Sequence, residues 1–178
     1  MYQQVIKFWF EELQPEQWFN GGAELDRLIS ERFTDLLIQA RKGELSSWRT
    51  EPQGRLAEII VLDQFSRNVY RDSAEAFSAD PMALVLAQEA IRCGDDQKLS
   101  PQMRIFCYLP YMHSESKVIH QDALVLFENL GLASNLDFEH KHKAIIDRFG
   151  RYPHRNQLLG RESTAEELEF LQQPGSSF

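Results

Sequence analysis

The sequence has few cysteines and no long apolar run, and both absences exclude classes of protein. Only Cys93 and Cys107 occur, without CxxC spacing, so we expect reduced thiols rather than a disulfide framework. No run reaches the roughly eighteen apolar residues of a membrane helix, and the opening MYQQVIKFWFEELQPEQ has no signal-peptide pattern. We therefore expect a cytoplasmic protein with no membrane span and no signal peptide.

Positive charge and standard catalytic motifs are also scarce. The net charge of -8 argues against a nucleic-acid binder, whose affinity depends on many Lys and Arg contacts to phosphates. The sequence contains no Gly-rich phosphate loop, no GxSxG and no HExxH. His140 and His142 would point about 160° apart on a helix and could not share a metal ion. We therefore expect no cofactor and no metal site.

The composition is that of a globular domain with a substantial core. The chain has 178 residues, of which 43% are hydrophobic and 11% aromatic. A chain of this length buries roughly 70% of the surface that it exposes when unfolded. We therefore expect a single domain over residues 1–178.

Apolar residues recur at helical spacing between Pro, Gly and capping residues. The pattern predicts helices over 2–13, 23–42, 55–70, 80–93, 117–130, 137–149 and 164–172, and another that starts at 101 and ends irregularly at 113–115. Ser163 and Thr164, with Glu166 and Glu167, predict a capping box for the last helix. No strand-like alternation appears, so we predict an all-α fold of about eight helices in antiparallel hairpins, stacked as a bundle or short superhelix.

The helix predicted over 55–70 is apolar on almost its whole circumference, which is typical of a buried helix. Its polar residues near the carboxyl end therefore need partners. Asp63 and Arg67 lie one turn apart and could pair with each other. We predict that Asp63 pairs with a basic group inside the fold.

The segment 140–161 differs in charge from the rest of the chain. It carries six Lys or Arg, three His and one carboxylate, whereas the remainder carries thirteen basic and twenty-six acidic residues. Gly150 and Pro153 interrupt helical structure, so Arg151 and the residues 154–156 would be displayed from irregular backbone. His142 falls on the inward, apolar stripe of its helix. Such a segment can bind an anion or an acidic partner, or it can be an internal electrostatic clasp.

Three sequence blocks resemble those of a known bacterial family. LDQFSRNVYR at 62–71, RIFCYLPYMHSES at 104–116 and RFGRYPHRNQLLGRESTAEELEFL at 148–171 are similar to blocks of the domain of unknown function 924 family. The resemblance implies an all-helical, tetratricopeptide-like array and no established activity. By resemblance, the motif positions are Asp63, Gln64, Arg67, Asn68, His113, Glu115, His142, Arg148, Arg151, His154, Arg155 and Asn156. Ser66 and Tyr152 depart from the family, which usually has Pro and Phe there.

Three functional hypotheses follow for these residues. The first is a binding or scaffold module with an Arg, His and Asn pocket for an anionic small molecule or an acidic peptide, since guanidinium groups bind carboxylates and phosphates in a bidentate manner. The second is an enzyme that acts on a phosphate- or carboxyl-containing substrate with His and Asp or Glu as acid–base groups. In the third, the polar motifs only lock neighbouring helices together.

Two further expectations concern the geometry of such a pocket. Arg67-Asn68 and Arg155-Asn156 each follow an apolar segment, so we predict that both pairs face one cleft. We also predict that anion binding by the basic segment depends more on Arg151 and Arg155 than on Lys141 and Lys143, because the proline stiffens the backbone that carries the arginines.

Overall fold

The computed structural model describes residues 1–177, and none of these residues is in a strand. The all-α prediction is therefore confirmed. The α-helices are α1 (Tyr2–Lys7), α2 (Gln17–Asn20), α3 (Gly22–Arg41), α4 (Pro52–Ile60), α5 (Ser66–Val69), α6 (Asp80–Arg92), α7 (Pro101–Met112), α8 (Lys117–Leu130), α9 (Ala133–Phe149) and α10 (Ala165–Phe170). The tetratricopeptide-like arrangement stays a prediction.

Two of the predicted helices contain π-helical segments. The helix that begins with α1 continues as a π-helix over Phe8–Glu12, where the amide of Leu13 donates to the carbonyl of Phe8, five residues earlier. The helix predicted over 55–70 comprises α4, a π-helical segment over Val61–Phe65, and α5. A π turn accommodates an extra residue, so it changes which later side chains point inward.

The chain divides into two compact units, which are described separately. The first unit comprises Met1–Arg71 and Glu75–Pro110, and the second comprises Asp72–Ala74 and residues 111–177. The expectation of one domain over residues 1–178 stays a prediction, and its last residue lies outside the described part. No helix within residues 1–177 is long and apolar enough to cross a membrane.

The core of the first unit is built around aromatic rings from both π-helical segments. Trp9 of the first segment packs against Phe65 of the second, with ring centroids 5.6 Å apart. Phe106 of α7 meets Trp9 edge-on at 5.5 Å. Aromatic pairs of this kind contribute about 0.5–1.5 kcal/mol beyond the burial of their area. This packing fixes the backbone that carries Asp63 and Gln64.

The second unit contains α8, α9 and α10. Its apolar core includes Ile145, Ile146 and Tyr152. Helix α9 begins at Ala133, four residues before the predicted start, and ends at Phe149. Gly150 follows it with a φ of 70°, which suits a residue without a Cβ atom. The predicted capping box is confirmed for Thr164 with Glu167, and α10 is shorter at both ends than the predicted 164–172.

Candidate functional site

Asp63 lies in the second π-helical segment of the first unit and its side chain is only 1% exposed. Its Oδ1 lies 3.2 Å from Nη1 of Arg67, one turn later in the chain. Its Oδ2 accepts a hydrogen bond of 2.6 Å from the side-chain amide of Gln64. The prediction that Asp63 pairs with an internal basic group is therefore confirmed.

Arg67 also binds the first residue of α6. Its Nη1 and Nη2 donate to Oδ1 and Oδ2 of Asp80 at 2.9 and 3.0 Å, and Nη1 donates to the carbonyl of Asp63 at 2.7 Å. This bidentate geometry is the strong form of an Arg–carboxylate pair. Arg67 therefore ties α5 to the start of α6 through Asp80 and to the preceding π-helical segment through Asp63.

Asn68 points to a different partner, Asp26 of α3. Its Nδ2 donates to Oδ1 of Asp26 at 2.8 Å, and Nη2 of Arg71 donates to the same oxygen at 2.7 Å. Nε of Arg71 donates to the other oxygen of Asp26. Burial would raise the pKa of Asp26, but the hydrogen bonds from Arg71 and Asn68 outweigh burial and lower that pKa. Asp26 is therefore an ionised carboxylate with matched donors.

An open groove of about 380 Å³ lies beside this triad, at the amino end of α3. We call it the α3 groove; its lining residues are Gln17, Trp18, Phe19, Asn20, Gly21, Gly22, Ala23, Asp26, Asn68 and Arg71. No side chain caps the amino end of α3. A Cβ atom on Gly21 would lie 2.2 Å from Leu25 and 2.8 Å from the carbonyl of Gln17, so the groove needs glycine at this position.

In the second unit, Glu115 holds the loop that follows α9. Its carboxylate accepts two bonds from Arg161, at 2.6 and 2.9 Å, and one from the amide of Tyr152 at 2.7 Å. Burial would raise the pKa of Glu115, but these donors outweigh it and lower the pKa. Glu115 therefore clamps the two ends of the loop as an ionised group.

The carboxylate of Glu167 accepts hydrogen bonds from several residues of the same loop. It accepts bonds from Nε and Nη2 of Arg151 at 2.7 and 2.8 Å, and from the amide of Thr164 at 2.8 Å. Nδ2 of Asn156 lies 3.3 Å from the same carboxylate. The bond from Arg151 is the largest of the effects that lower the pKa of Glu167 to about 2. Arg151 therefore has an internal partner.

Other cations of the basic segment also have carboxylate partners within the second unit. Arg148 binds Glu166 at 2.8 Å, Lys141 binds Asp137 at 2.6 Å and Lys143 binds Asp147 at 2.5 Å. These pairs are partly exposed and each contributes at most about 1 kcal/mol to stability. Much of the positive charge in the segment is therefore balanced locally.

Tyr152 is buried, and three motif residues, His142, His154 and Arg155, lie around its ring. The guanidinium carbon of Arg155 is 4.5 Å from the centroid of its ring, and the rings of His142 and His154 lie at 5.8 and 5.6 Å. The Nδ1 atom of His142 is 2.8 Å from the carbonyl of Phe138. Burial lowers the pKa of His142 to about 3, so this ring is neutral at neutral pH. The expected inward orientation of His142 is confirmed.

A buried pair that the sequence analysis missed joins α8 to α9. The Nδ1 atom of His120 lies 2.7 Å from Oε1 of Glu139, and both side chains are fully buried. The Nε2 atom of His120 lies 2.8 Å from the carbonyl of Ser114. Since a carbonyl only accepts, Nε2 carries a proton, and one further proton is shared between Nδ1 and the carboxyl group. Burial raises the pKa of Glu139 above its ordinary value.

Comparison with known proteins places the chain in a family. Residues 5–175 match the model of a family described as bacterial protein of unknown function (DUF924). The chain belongs to the DUF924 family. It is similar to a solved structure of a protein of unknown function, ATU0120 from Agrobacterium tumefaciens, with 38% identity over 96% of each chain and a TM-score of 0.91. None of the curated proteins matches this DUF924 chain. The resemblance in the sequence is thereby confirmed.

The motif residues of this DUF924 member fall into both units. Asp63 and Arg67 meet each other in the first unit, whereas Asn68 joins Asp26. In the second unit, Asn156 accepts a 2.9 Å bond from Arg161, while His113 lies in the turn after α7. The predicted cleft between Arg67-Asn68 and Arg155-Asn156 stays a prediction. No group of three or more potential metal ligands occurs in the part of the chain that the structure describes.

Two signals in the DUF924 sequence could have revealed the missed residues. His120 falls on the inward stripe of α8 with Ala123 and Phe127, at the helical spacing that marks a buried face. Glu139 precedes His142 by three residues on the inward face of α9. The α3 groove has a weaker signal, the sequence Trp18-Phe19-Asn20-Gly21-Gly22 directly before a long helix.

Proposed function

We propose that this protein is a binding module and that the α3 groove takes a small anionic ligand. The observation that carries the proposal is the meeting of Arg71, Asn68 and the uncapped start of α3 in one concave site. A volume of about 380 Å³ falls in the range of small-molecule sites, about 300–1,000 Å³. The groove therefore suits a small molecule better than an extended peptide.

The charges around the groove favour an anion. Asp26 contributes the only carboxylate of the lining, and Arg71 and Asn68 already compensate it. The side chain of Arg71 is still 52% exposed, so an incoming anion can approach its positive charge. The amino end of the 20-residue α3 adds the positive end of the helix dipole, and Glu24, the acidic residue of its first turn, is not among the lining residues.

The same lining supports binding rather than chemistry at the groove. Among the residues that form it are no His, Cys, Ser, Thr, Tyr or Lys. The lowered pKa of Asp26 makes this carboxylate a poor base near neutral pH. His120 does contact a carboxylate, but its ring is fully buried in the second unit. The enzymatic hypothesis therefore has less support than the binding hypothesis.

The pairing of the other arginines supports a structural role for them. An anion that bound Arg151 would have to compete with the two bonds that Arg151 donates to Glu167. Arg71 donates two bonds to Asp26 in the same way, but its side chain is 52% exposed, whereas that of Arg151 is 28% exposed. Arg67 would have to leave Asp80 in the same way. Binding by His113, Arg148, His154, Arg155 and Asn156 stays a prediction from the sequence.

Calorimetric titration with phosphate, citrate and a short acidic peptide tests the proposal. We expect the parent to bind phosphate or citrate and Arg71→Gln to bind at least about tenfold more weakly, because a charge-assisted bond is lost. Arg92→Gln is the matched control, since Arg92 is exposed on α6 and pairs only locally with Glu89. No binding by the parent, or equal losses in the two variants, would contradict the proposal.

Ala23→Asp provides a second test that does not weaken the fold. Ala23 is exposed in the first turn of α3, where a carboxylate stabilises a helix. The same carboxylate would repel an anion from the groove. We therefore expect an unchanged or higher melting temperature together with weaker phosphate binding. Undiminished binding by Ala23→Asp would place the anion elsewhere.

A further inference from the structure

We propose that the ligand of the α3 groove carries a planar aromatic ring beside its anionic group, and that this ring stacks on Phe19. The inference rests on the proposed function and adds a chemical class to it. Phe19 lines the groove and is 60% exposed, so a ligand in the groove can reach its ring. The exposed ring therefore gives the groove an apolar, planar wall.

The orientation of Phe19 leaves one face of its ring for a ligand. The ring lies parallel to that of Phe106, with an interplanar angle of 9° and centroids 6.1 Å apart. Phe106 itself is buried, so the exposed surface of Phe19 lies on the side away from Phe106. A ligand ring on the outer face would extend this stack by one member.

The rings beneath Phe19 are held in place before any ligand arrives. Phe106 receives edge-on contacts from Phe10 at 5.5 Å and Trp18 at 5.0 Å. The indole nitrogen of Trp18 donates a 2.7 Å hydrogen bond to the carbonyl of Trp9. A preorganised surface loses less conformational entropy on binding than a mobile one. Phe19 therefore rests on a fixed aromatic base.

The polar residues of the groove determine what the ring should carry. Gln17, Asn20 and Asn68 bring amide groups. Oε1 of Gln17 already accepts from the amide of Gln14 and Nδ2 of Asn68 already donates to Asp26, so the other amide atoms are the ones that can pair with ring heteroatoms or hydroxyl substituents. Arg71 brings the positive charge for a phosphate or carboxylate. The groove thus fits an aromatic phosphate or an aromatic carboxylate.

Calorimetric titration of the full chain with ligands of equal charge tests the contribution of the ligand's aromatic ring separately from that of its anionic group. Phenyl phosphate and cyclohexyl phosphate have the same charge and carbon number, but only the first has a planar ring. We expect phenyl phosphate to bind at least about fivefold more tightly than cyclohexyl phosphate, as stacking of a ring on an aromatic side chain implies. Inorganic phosphate measures the contribution of the anionic group alone.

Phe19→Leu should remove the preference for phenyl phosphate while keeping an apolar side chain. Because Phe19 is exposed, the variant should fold, which circular dichroism checks. Phe138→Leu is the control, since Phe138 is an exposed phenylalanine of α9 in the second unit. Equal binding of the two organic phosphates, or a preference for phenyl phosphate that survives Phe19→Leu, would contradict the stacking of a ligand ring on Phe19. Neither result would contradict the proposed anion site. If none of the three phosphates binds, both proposals fail.

Discussion

At the residue scale, Asp63 shows how a buried charge is compensated. Arg67 and Gln64 bind its two oxygens, and Arg67 has a second carboxylate in Asp80. Removal of Asp63 would therefore leave Arg67 paired, but would leave the amide of Gln64 without its acceptor. The cost is smaller than that of stranding a lone buried ion.

We predict that Asp63→Ala lowers the free energy of unfolding by about 1–3 kcal/mol, the cost of an unmade buried hydrogen bond. Urea denaturation of parent and variant measures this difference. Asp137→Ala is the control, because Asp137 forms an exposed pair with Lys141 and should change stability by less than about 0.5 kcal/mol. Equal stability of Asp63→Ala and the parent would show that Asp63 is not needed by its neighbours.

The buried pair of His120 and Glu139 predicts how the stability of the fold changes with pH. Burial raises the pKa of Glu139, so the folded protein holds the shared proton more tightly than the unfolded chain does. The raised pKa of Glu139 therefore contributes stability that is fully present below the ordinary Glu pKa of 4.5 and is lost as pH rises through the folded pKa. Without the proton, Nδ1 and Oε1 would face each other as two acceptors.

Glu139→Gln tests the predicted loss of stability with rising pH, because a glutamine amide can donate to Nδ1 of His120 without titrating. Between pH 5 and pH 9, we expect the stability of the parent, relative to this variant, to decrease as pH rises and to level off once pH passes the raised folded pKa of Glu139. Urea denaturation across this range provides the comparison, and other titrating groups cancel in the difference. A difference that rises with pH would reverse the assignment of the shared proton.

At the element scale, one carboxylate links a helix start to a preceding loop. Glu167 completes the capping box of α10 with Thr164 and also binds Arg151 and Asn156. A single side chain therefore orders both α10 and the loop from Arg151 to Thr164. Helix α10 has only six residues, so it depends on this cap more than a long helix would.

We predict that Glu167→Ala exposes the amides of α10 to hydrogen exchange and costs about 1–2 kcal/mol, the usual range for a lost cap. Native-state hydrogen exchange followed by mass spectrometry measures the protection of residues 165–170. Glu169→Ala is the matched control, since Glu169 lies in the same helix and is exposed. Similar protection in the two variants would show that the cap does not order α10.

At the scale of the whole molecule, the two compact units raise the question of cooperative unfolding. The chain passes between the units three times, after Arg71, Ala74 and Pro110. Such a discontinuous division is not the pattern of two independent domains joined by one linker. The expectation of a single domain stays a prediction.

The distribution of tryptophan allows a direct test of this expectation. Trp9, Trp18 and Trp48 all belong to the first unit, whereas helices of both units contribute to far-ultraviolet circular dichroism. We predict that thermal unfolding monitored by tryptophan fluorescence and by circular dichroism gives coincident transitions, as for one cooperative domain. Two separated midpoints would assign the units to different domains.

The sequence determined the features that depend on residues close together in the chain. Helical spacing and the Gly150 stop predicted the all-α class and the end of α9, and the pairs Asp63 with Arg67 and Thr164 with Glu167 lie within four residues of each other. Family membership also follows from local sequence blocks. Propensity, capping and one-turn spacing act over such short separations, so they can be read without the fold.

The tertiary structure decided which distant groups became partners. Arg161 meets Glu115 across 46 positions, and Asn68 meets Asp26 across 42. A basic segment with an excess of charge in the sequence is thereby largely balanced by carboxylates from neighbouring elements. The α3 groove likewise combines lining residues from 17–26 with Asn68 and Arg71, which lie far away in the chain. Side-chain type alone cannot specify such partners. Any oppositely charged group can compensate a buried ion, and the fold determines which one lies within hydrogen-bond distance.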